Sequence, residues 1–249
     1  MVPSSDKDLR GKVALVTGAS GGIGVAICEA LRAAGVKIVA ADLNVDGVTC
    51  DHALSGDLAD NDYCDGLARA AIDAMGRLDI VVNNAGVMRR GPITAATDDD
   101  FSISMKINVE APFRICRAAI PIMAENGGGS IVNTASCWGV YPGPEHLVYC
   151  TTKAAIASMT KCLGRDHAHQ NIRVNAVCPN EVDTPMLRTG FEMRGFDPDT
   201  AVNDLGKTVP IGHVATASEI ADVAVFLASD ASRYMCGALV EVNGGKPVG

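Results

Sequence analysis

Short runs of β-branched and aliphatic residues alternate along the chain with longer stretches in which apolar side chains return every three or four positions. The runs Lys12–Val16, Lys37–Ala40, Asp79–Val82, Ser130–Asn133, Arg173–Val177 and Leu239–Val242 are nearly continuous in apolar residues. That is the pattern of strands covered on both faces of a parallel sheet. Between them, Ile23–Ala34, Tyr63–Met75, Asp98–Ala124, Tyr149–Ala168 and Ser218–Ala228 carry helical periodicity and abundant alanine. Start signals agree: Thr216 and Glu219 form a capping-box pair, and Thr97 precedes Asp98, Asp99 and Asp100, acids suited to the positive end of a helix. The βαβα order predicts one α/β domain with helices on both faces of its sheet. One connection is unusual. Only Leu43 to about Thr49 separates the second strand from a short third one near Cys50–Ala53, too few residues for a crossover helix. The longest non-strand insertion, about residues 179–212, holds Pro185, Pro198 and Pro210 among Met186, Leu187, Phe191, Met193 and Phe196, and this mixture predicts a substrate lid.

Composition narrows the class of function. At 249 residues, 48% hydrophobic and 20% charged, the chain can bury one large core. The expected organisation is a flexible terminus over residues 1–8 and a single domain over 9–249. A net charge of −8 argues against nucleic acid as a partner and for a small-molecule substrate. The opening residues Met1 to Asp8 lack an apolar signal core, and no stretch approaches the ~18 apolar residues of a membrane span, so a cytoplasmic protein without a membrane partner is expected. Nine cysteines are present, none spaced Cys-x-x-Cys. Several, including Cys28, Cys116, Cys162 and Cys178, lie in apolar elements and are read as buried, reduced thiols rather than disulfides or zinc ligands. His167 and His169 flank a helix end beside Asp166, but alternate residues on a helix face different directions, so no metal site is expected.

The candidate chemistry sits at the ends of the predicted strands. Thr17-Gly18-Ala19-Ser20-Gly21-Gly22-Ile23-Gly24 joins the first strand to a helix, and such glycines let a pyrophosphate approach the backbone at a positive helix end. Asp42 follows the second strand, 18 residues beyond Gly24, near the separation of an acid that binds an adenosine ribose. A 2′-phosphate beside that carboxylate would be repelled by roughly 4 kcal/mol at 4 Å and an effective dielectric of 20, which favours NAD over NADP. Neither Gly21 nor Leu43 supplies a relieving cation. Asp57-Leu58 and Asn83-Asn84-Ala85-Gly86 each follow a strand, where loops at the carboxyl edge of a parallel sheet meet ligands; one of the two asparagines can equally serve as a loop support. Tyr149 and Lys153 stand four residues apart, on one helix face, where a cation can favour the phenolate.

With these residues together, the chain resembles the short-chain dehydrogenase/reductase family from about Leu9 to Gly245. The family's glycine loop matches Thr17 to Gly24, its Asn-Asn-Ala-Gly motif matches Asn83 to Gly86, and its catalytic residues match Asn108, Ser136, Tyr149 and Lys153. The resemblance implies a Rossmann-type, doubly wound parallel sheet and a homotetramer associating through the helices around Asn108 and Tyr149 and through the C-terminal strand. It implies NAD held by Gly18, Ser20, Gly22, Ile23, Gly24, Asp42, Asp57, Leu58, Asn84, Gly86, Tyr149, Lys153, Val182 and Thr184. It also implies that Tyr149 exchanges a proton with substrate while hydride passes directly to or from nicotinamide. Lys153 would lower the Tyr149 pKa and bind the nicotinamide ribose, Ser136 would hydrogen-bond the reacting oxygen, and Asn108 would anchor a water on the proton path.

Within the family, the stretches from Tyr149 and from Cys178 are similar to type 2 3-hydroxybutyrate dehydrogenases and 2-keto-3-deoxy sugar-acid dehydrogenases. Those relatives bind their acid with an arginine where this chain has His146, and with a second in the lid that aligns with Gly190. Arg188, Arg194 and Lys207 in the lid and Arg89-Arg90 after Gly86 are the other cations available to an anion, and Trp138 is placed either to line the pocket or to pack against the lid. Pro179 is followed by Asn180 where the family usually has glycine. The expected activity interconverts a secondary alcohol and a ketone on a hydroxy acid, sugar or sugar acid. A cyclic diol is the alternative suggested by the short second crossover, and a non-catalytic dinucleotide sensor is the alternative of another class.

Overall fold

The computed structural model describes residues 9–246, and the flexible terminus expected at residues 1–8 lies outside them. Seven strands, β1 (Val13–Thr17), β2 (Lys37–Asp42), β3 (His52–Ser55), β4 (Ile80–Asn83), β5 (Gly129–Thr134), β6 (Ile172–Pro179) and β7 (Leu239–Val242), form one parallel sheet in the order β3-β2-β1-β4-β5-β6-β7. Strand order reverses between β1 and β4, where Val16 pairs with Val82. Ligands of open α/β sheets bind outside the carboxyl ends of strands at such a point.

The apolar runs are continuous because both faces are covered. Ala14 and Val16 of β1 pack with Ile27 and Leu31 of α1 (Gly22–Ala33) and Ile220 of α9 (Ala217–Ala228). Val13 and Leu15 pack on the opposite face with Leu67 of α2 (Asn61–Met75) and Ile115 of α4 (Ala111–Glu125). Burying one leucine such as Leu15 contributes about 2–3 kcal/mol, so two layers of these contacts hold the sheet. Both capping expectations are met, since the Thr97 and Thr216 hydroxyls accept the Asp100 and Glu219 amides while those acids bond back to the cap.

Two local expectations, the Asp98–Ala124 helix and the burial of Cys162, need revision, and three short helices add to the pattern. The helix expected over Asp98–Ala124 is α3 (Asp98–Met105) and α4 joined by a π-helical turn, Lys106–Glu110. Pro112 has no N–H for the Asn108 carbonyl four residues earlier, and its ring crowds that carbonyl, so a regular α-helix fails there. The residue 179–212 insertion carries two helices, α7 (Pro185–Glu192) and α8 (Pro198–Lys207), each opening on a proline. A single turn, α5 (Cys137–Val140), precedes α6 (Leu147–His167). Cys162 is exposed rather than buried because it lies on the outer face of α6; all nine cysteines are free. As expected, no helix bridges β2 and β3, although β3 begins at His52 rather than Cys50. Among the described residues no helix is long and apolar enough to cross a membrane.

Candidate active site

A cleft of about 790 Å³ opens at the carboxyl ends of β1, β4 and β5. Its floor is glycine for steric reasons. Gly18 has φ +63, and a Cβ there would lie 2.7 Å from the Ala85 Cα. A Cβ on Gly24 would overlap the Gly18 carbonyl oxygen, and one on Gly22 would press on Thr184 at 3.0 Å. Helix α1 opens at Gly21 with no side-chain cap, so its terminal amides need another acceptor. A cradle without side chains at a positive helix end fits the pyrophosphate of a dinucleotide. Ser20, Ile23, Asp57 and Leu58 also line this end, and Asp42 closes it, accepting the Ser20 amide at 2.9 Å and the Leu43 amide at 2.7 Å.

The two adjacent asparagines divide their work. Asn83 is buried and donates to Asn133 Oδ1 at 2.8 Å, which makes it a loop support. Asn84 lines the cleft and donates to the Gly18 carbonyl at 3.1 Å, tying the glycine loop to β4. Gly86 brings two further groups close, because a Cβ on it would stand 3.4 Å from both Asn108 Oδ1 and Lys153 Nζ. Asn108 lies in the π-helical turn and is buried. Its Oδ1 accepts the Val87 amide at 2.8 Å, while its Nδ2 donates to the Val87 carbonyl at 2.9 Å and to Thr152 Oγ1 at 3.0 Å. Thr152 in turn donates to the Tyr149 carbonyl at 2.8 Å. The Asn108 side chain therefore clamps the loop after β4 to the helix bearing Tyr149.

Tyr149 and Lys153 both face the cleft from α6. Burial pushes the Tyr149 phenol up to about 12, against the opposing pull of the Ser136 hydroxyl and the Arg90 charge. Lys153 is 4% exposed, and burial drives its ammonium down to about 8. Its Nζ donates to the Thr134 carbonyl at 2.7 Å. The ammonium also lies 5.7 Å from the Tyr149 ring centroid, so one buried cation adjoins both the phenol-bearing face of α6 and the end of β5. Ser136 caps α5, accepting the Trp138 amide at 3.1 Å. Val182 and Thr184 line the wall beyond β6.

The residues assigned to substrate separate into two groups. Trp138 and His146 line the cleft and meet edge to face at 4.2 Å. His146 Nδ1 donates to the Pro144 carbonyl at 2.7 Å, and burial lowers its pKa, so the ring is neutral at pH 7. Arg194 also lines the cleft. Arg188 does not: it is held by Asp183 and Asp199, each at 2.7 Å, and is withdrawn from substrate. Lys207 pairs with Asp204 at 2.7 Å. Of the Arg89-Arg90 pair, Arg89 bonds Asp100 at 3.0 Å while Arg90 enters the cleft. The acids at the start of α3 were the signal in the sequence that one of these arginines would be neutralised locally. Among the described residues no His, Cys, Asp and Glu group is arranged to hold a metal.

A family model described as enoyl-(acyl carrier protein) reductase matches residues 18–246. The D-threitol dehydrogenase of Mycolicibacterium smegmatis is 36% identical over 97% of this chain and 96% of its own length. The 3-oxoacyl-[acyl-carrier-protein] reductase of Thermotoga maritima is 32% identical over 95% of this chain and 98% of its own. The chain belongs to the short-chain dehydrogenase/reductase family. Solved structures of this fold superpose closely. The ligand-free aldohexose dehydrogenase of Thermoplasma acidophilum gives a TM-score of 0.91 at 30% identity, covering 96% of this chain and 95% of that one. A 3-ketoacyl-(acyl-carrier-protein) reductase from Brucella melitensis, complexed with NADH, gives 0.86 at 29% identity, covering 96% and 99%. Membership makes the protein an oxidoreductase with the Rossmann-like sheet described above. Short-chain dehydrogenase/reductase relatives named for a polyol, an aldohexose and an acyl-carrier thioester leave the substrate to be argued from the cleft itself.

Proposed function

We propose that the protein is an NAD-dependent dehydrogenase that interconverts a secondary alcohol and a ketone on a small polar substrate. The observation that carries this is the placement of Tyr149, Ser136 and Lys153 in one cleft with the glycine cradle and Asp42. Gly18, Ser20, Gly22, Ile23 and Gly24 would hold the pyrophosphate, Asp42 the adenosine ribose, Asp57, Leu58, Asn84 and Gly86 the adenine-to-ribose span, and Lys153, Val182 and Thr184 the nicotinamide end. Asp42 supports NAD over NADP because, among the described residues, no arginine or lysine side chain joins it at that rim. When bound, the dinucleotide accepts or supplies the hydride.

The chain's own residues handle the proton and the oxygen. In reduction, the phenol of Tyr149, protonated at neutral pH, gives its proton to the carbonyl oxygen as the carbon gains hydride. The Ser136 hydroxyl steadies the oxygen in both directions and favours the phenolate that forms. Lys153 supplies a buried positive charge on the cleft floor, and Asn108 holds α6 against the loop after β4. The competing reading, a dinucleotide sensor, predicts a different response to Tyr149→Phe. A dehydrogenase loses turnover by at least about a hundredfold, the scale of general acid–base catalysis, while dinucleotide affinity stays close to wild type. Unchanged turnover in an NADH-absorbance assay across hydroxy acids, sugars, polyols and cyclic diols would remove the assignment.

Association as a homotetramer is part of the proposal. Phe101, Phe113 and Leu147, about half exposed, lie on α3, α4 and α6, and Ile211 and Tyr234 are exposed towards the C-terminal part of the chain. Such apolar surface favours contact with further copies.

A further inference from the structure

Two arginines meet at the lid side of the cleft, and among the described residues no carboxylate bonds either of them. Arg90 rises from the loop after β4, and its guanidinium lies so close to the Gly190 backbone of α7 that a Cβ there would stand 2.7 Å from Nη2 and 2.9 Å from Cζ. Arg194 comes from the connection between α7 and α8. Its Nε donates to the Gly190 carbonyl at 2.8 Å, and its guanidinium lies over the Phe191 ring, 4.8 Å from the centroid. The same glycine thus gathers both cations. A backbone bridge between Gly91 and His146, with the Gly91 amide on the Glu145 carbonyl at 2.7 Å, sets Arg90 beside His146 and on the Tyr149 side of the cleft.

The surrounding charges make this pair distinctive. Arg89, Arg188 and Lys207, the neighbouring cations, are each matched by a local acid. Burial and then the nearby Arg194 guanidinium disfavour the Arg90 charge, and among the described residues neither arginine bonds a carboxylate. Two like charges held together around a cavity, in a chain of net charge −8, form an arrangement that a bound anion relieves. Guanidinium groups present paired N–H donors that match a carboxylate. Met186, Leu187 and Phe191 add apolar wall beside them.

We infer that the substrate carries a carboxylate, received by Arg90 and Arg194 while its carbonyl or hydroxyl lies at Ser136 and Tyr149. The substrate class is then a short oxo acid and the corresponding hydroxy acid. This rests on reading the cleft as a dehydrogenase site. His146, held neutral by burial, supplies shape and a hydrogen bond in this arrangement rather than charge.

The test compares 2-, 3-, 4- and 5-oxo acids with their own methyl esters, using the full chain and NADH. Wild-type protein should favour the best acid over its ester in kcat/KM by at least about tenfold, the scale of a charge-assisted hydrogen bond. Arg90→Gln should lower kcat/KM for that acid, chiefly through KM, by at least about tenfold more than it lowers kcat/KM for the ester. Arg194→Gln should act in the same direction, and Arg89→Gln should change neither substrate. Equal rates for acid and ester in wild type, or equal losses in Arg90→Gln, overturn the inference. A loss through weaker phenol activation alone would fall on both substrates alike. A second arm needs no turnover. Trp138, the single tryptophan, contacts His146, so its fluorescence can be titrated with glutarate or glutaramide in the presence of NAD. Saturation by glutarate alone, weakened in Arg90→Gln, supports the carboxylate site; no saturation, or saturation indifferent to Arg90, refutes it. Failure of the dehydrogenase reading would show separately, as absence of any NAD(H) chemistry whatever the titration gives.

Discussion

Replacing Lys153 by methionine should stabilise the folded protein at neutral pH while abolishing its activity, and the gain should vanish in alkali. The ammonium is 4% exposed, and burial draws its pKa from 10.5 to about 8. Between those values the unfolded chain binds a proton that the folded chain has lost, so this residue makes wild-type stability rise with pH. The depression corresponds to about 3 kcal/mol against the folded state at pH 7, fully relieved above pH 10.5. Methionine fills similar volume without charge, but strips the Thr134 carbonyl of its 2.7 Å donor, a loss of about 1 kcal/mol. The net expectation is a gain of about 2 kcal/mol at pH 7, turning into a loss of about 1 kcal/mol above pH 10.5. Other groups pull the opposite way: the Cys28, Cys116 and Cys137 thiols are pushed up to about 12, as is the Tyr149 phenol, so both proteins lose stability as pH rises past 9. Those contributions are shared and drop out of the difference. The assay is urea unfolding of both proteins at equal protomer concentration, under reducing conditions, from pH 7 to 10.5. A stability difference that stays constant over that range would refute the account of Lys153 as a cation buried at a cost.

Three further outcomes are expected. Asn108→Ala orphans the Val87 amide and carbonyl and uncouples α6 from the loop after β4, so unfolding stability should fall by about 2–4 kcal/mol and turnover should fall with it; a urea midpoint within error of wild type would count against the clamp. Asp42→Asn keeps the acceptor for the Ser20 amide but removes the charge, and the NAD-over-NADP affinity ratio from fluorescence titration should narrow by about tenfold to a hundredfold after solvent screening; an unchanged ratio would detach selectivity from this residue. Sedimentation at micromolar protein should give a tetramer, and a monomer would show that the exposed Phe101, Phe113 and Leu147 have another purpose.

Legibility from the sequence follows the range of the interactions involved. The central strands were readable because burial on both faces leaves an apolar run that needs no partner to be recognised, as in β1. The glycine loop was readable for a related reason: only a residue without a Cβ tolerates the approach of Gly24 to the Gly18 carbonyl, so the constraint is written in residue type. The π-helical turn was missed because apolar periodicity continues through Lys106–Glu110, although Pro112 already denied the Asn108 carbonyl its regular donor. The lid helices α7 and α8 were missed because each is short and mostly exposed, leaving prolines as the visible feature rather than an apolar stripe. The outward turn of Arg188 is not legible although Asp183 lies five residues away, because residue type alone does not show which lid cations meet a local acid.

Charge placement in the cleft also explains how a ligand pair would be oriented. At one end Asp42 presents a carboxylate fixed by two backbone amides, a group that accepts hydrogen bonds from neutral hydroxyls and repels phosphate. At the other, Arg90 and Arg194 present unmatched donors beside an apolar wall, a surface that accepts an anion and repels a cation. Between them Gly86 lets Asn108 and Lys153 approach the floor, and the Tyr149 phenol stands within the field of Arg90. A dinucleotide reversed in this cleft would bring its adenosine hydroxyls to the arginines and leave Asp42 with only its two backbone amides. An oxo acid reversed would direct its carboxylate at a buried phenol, away from both arginines. Each reversal forfeits charge-assisted hydrogen bonds, so two sites of opposite polarity at the ends of one cleft specify direction as well as affinity. Removing Arg90 should therefore loosen the orientation of the acid as well as its binding, beyond any change in phenol acidity that acid and ester share.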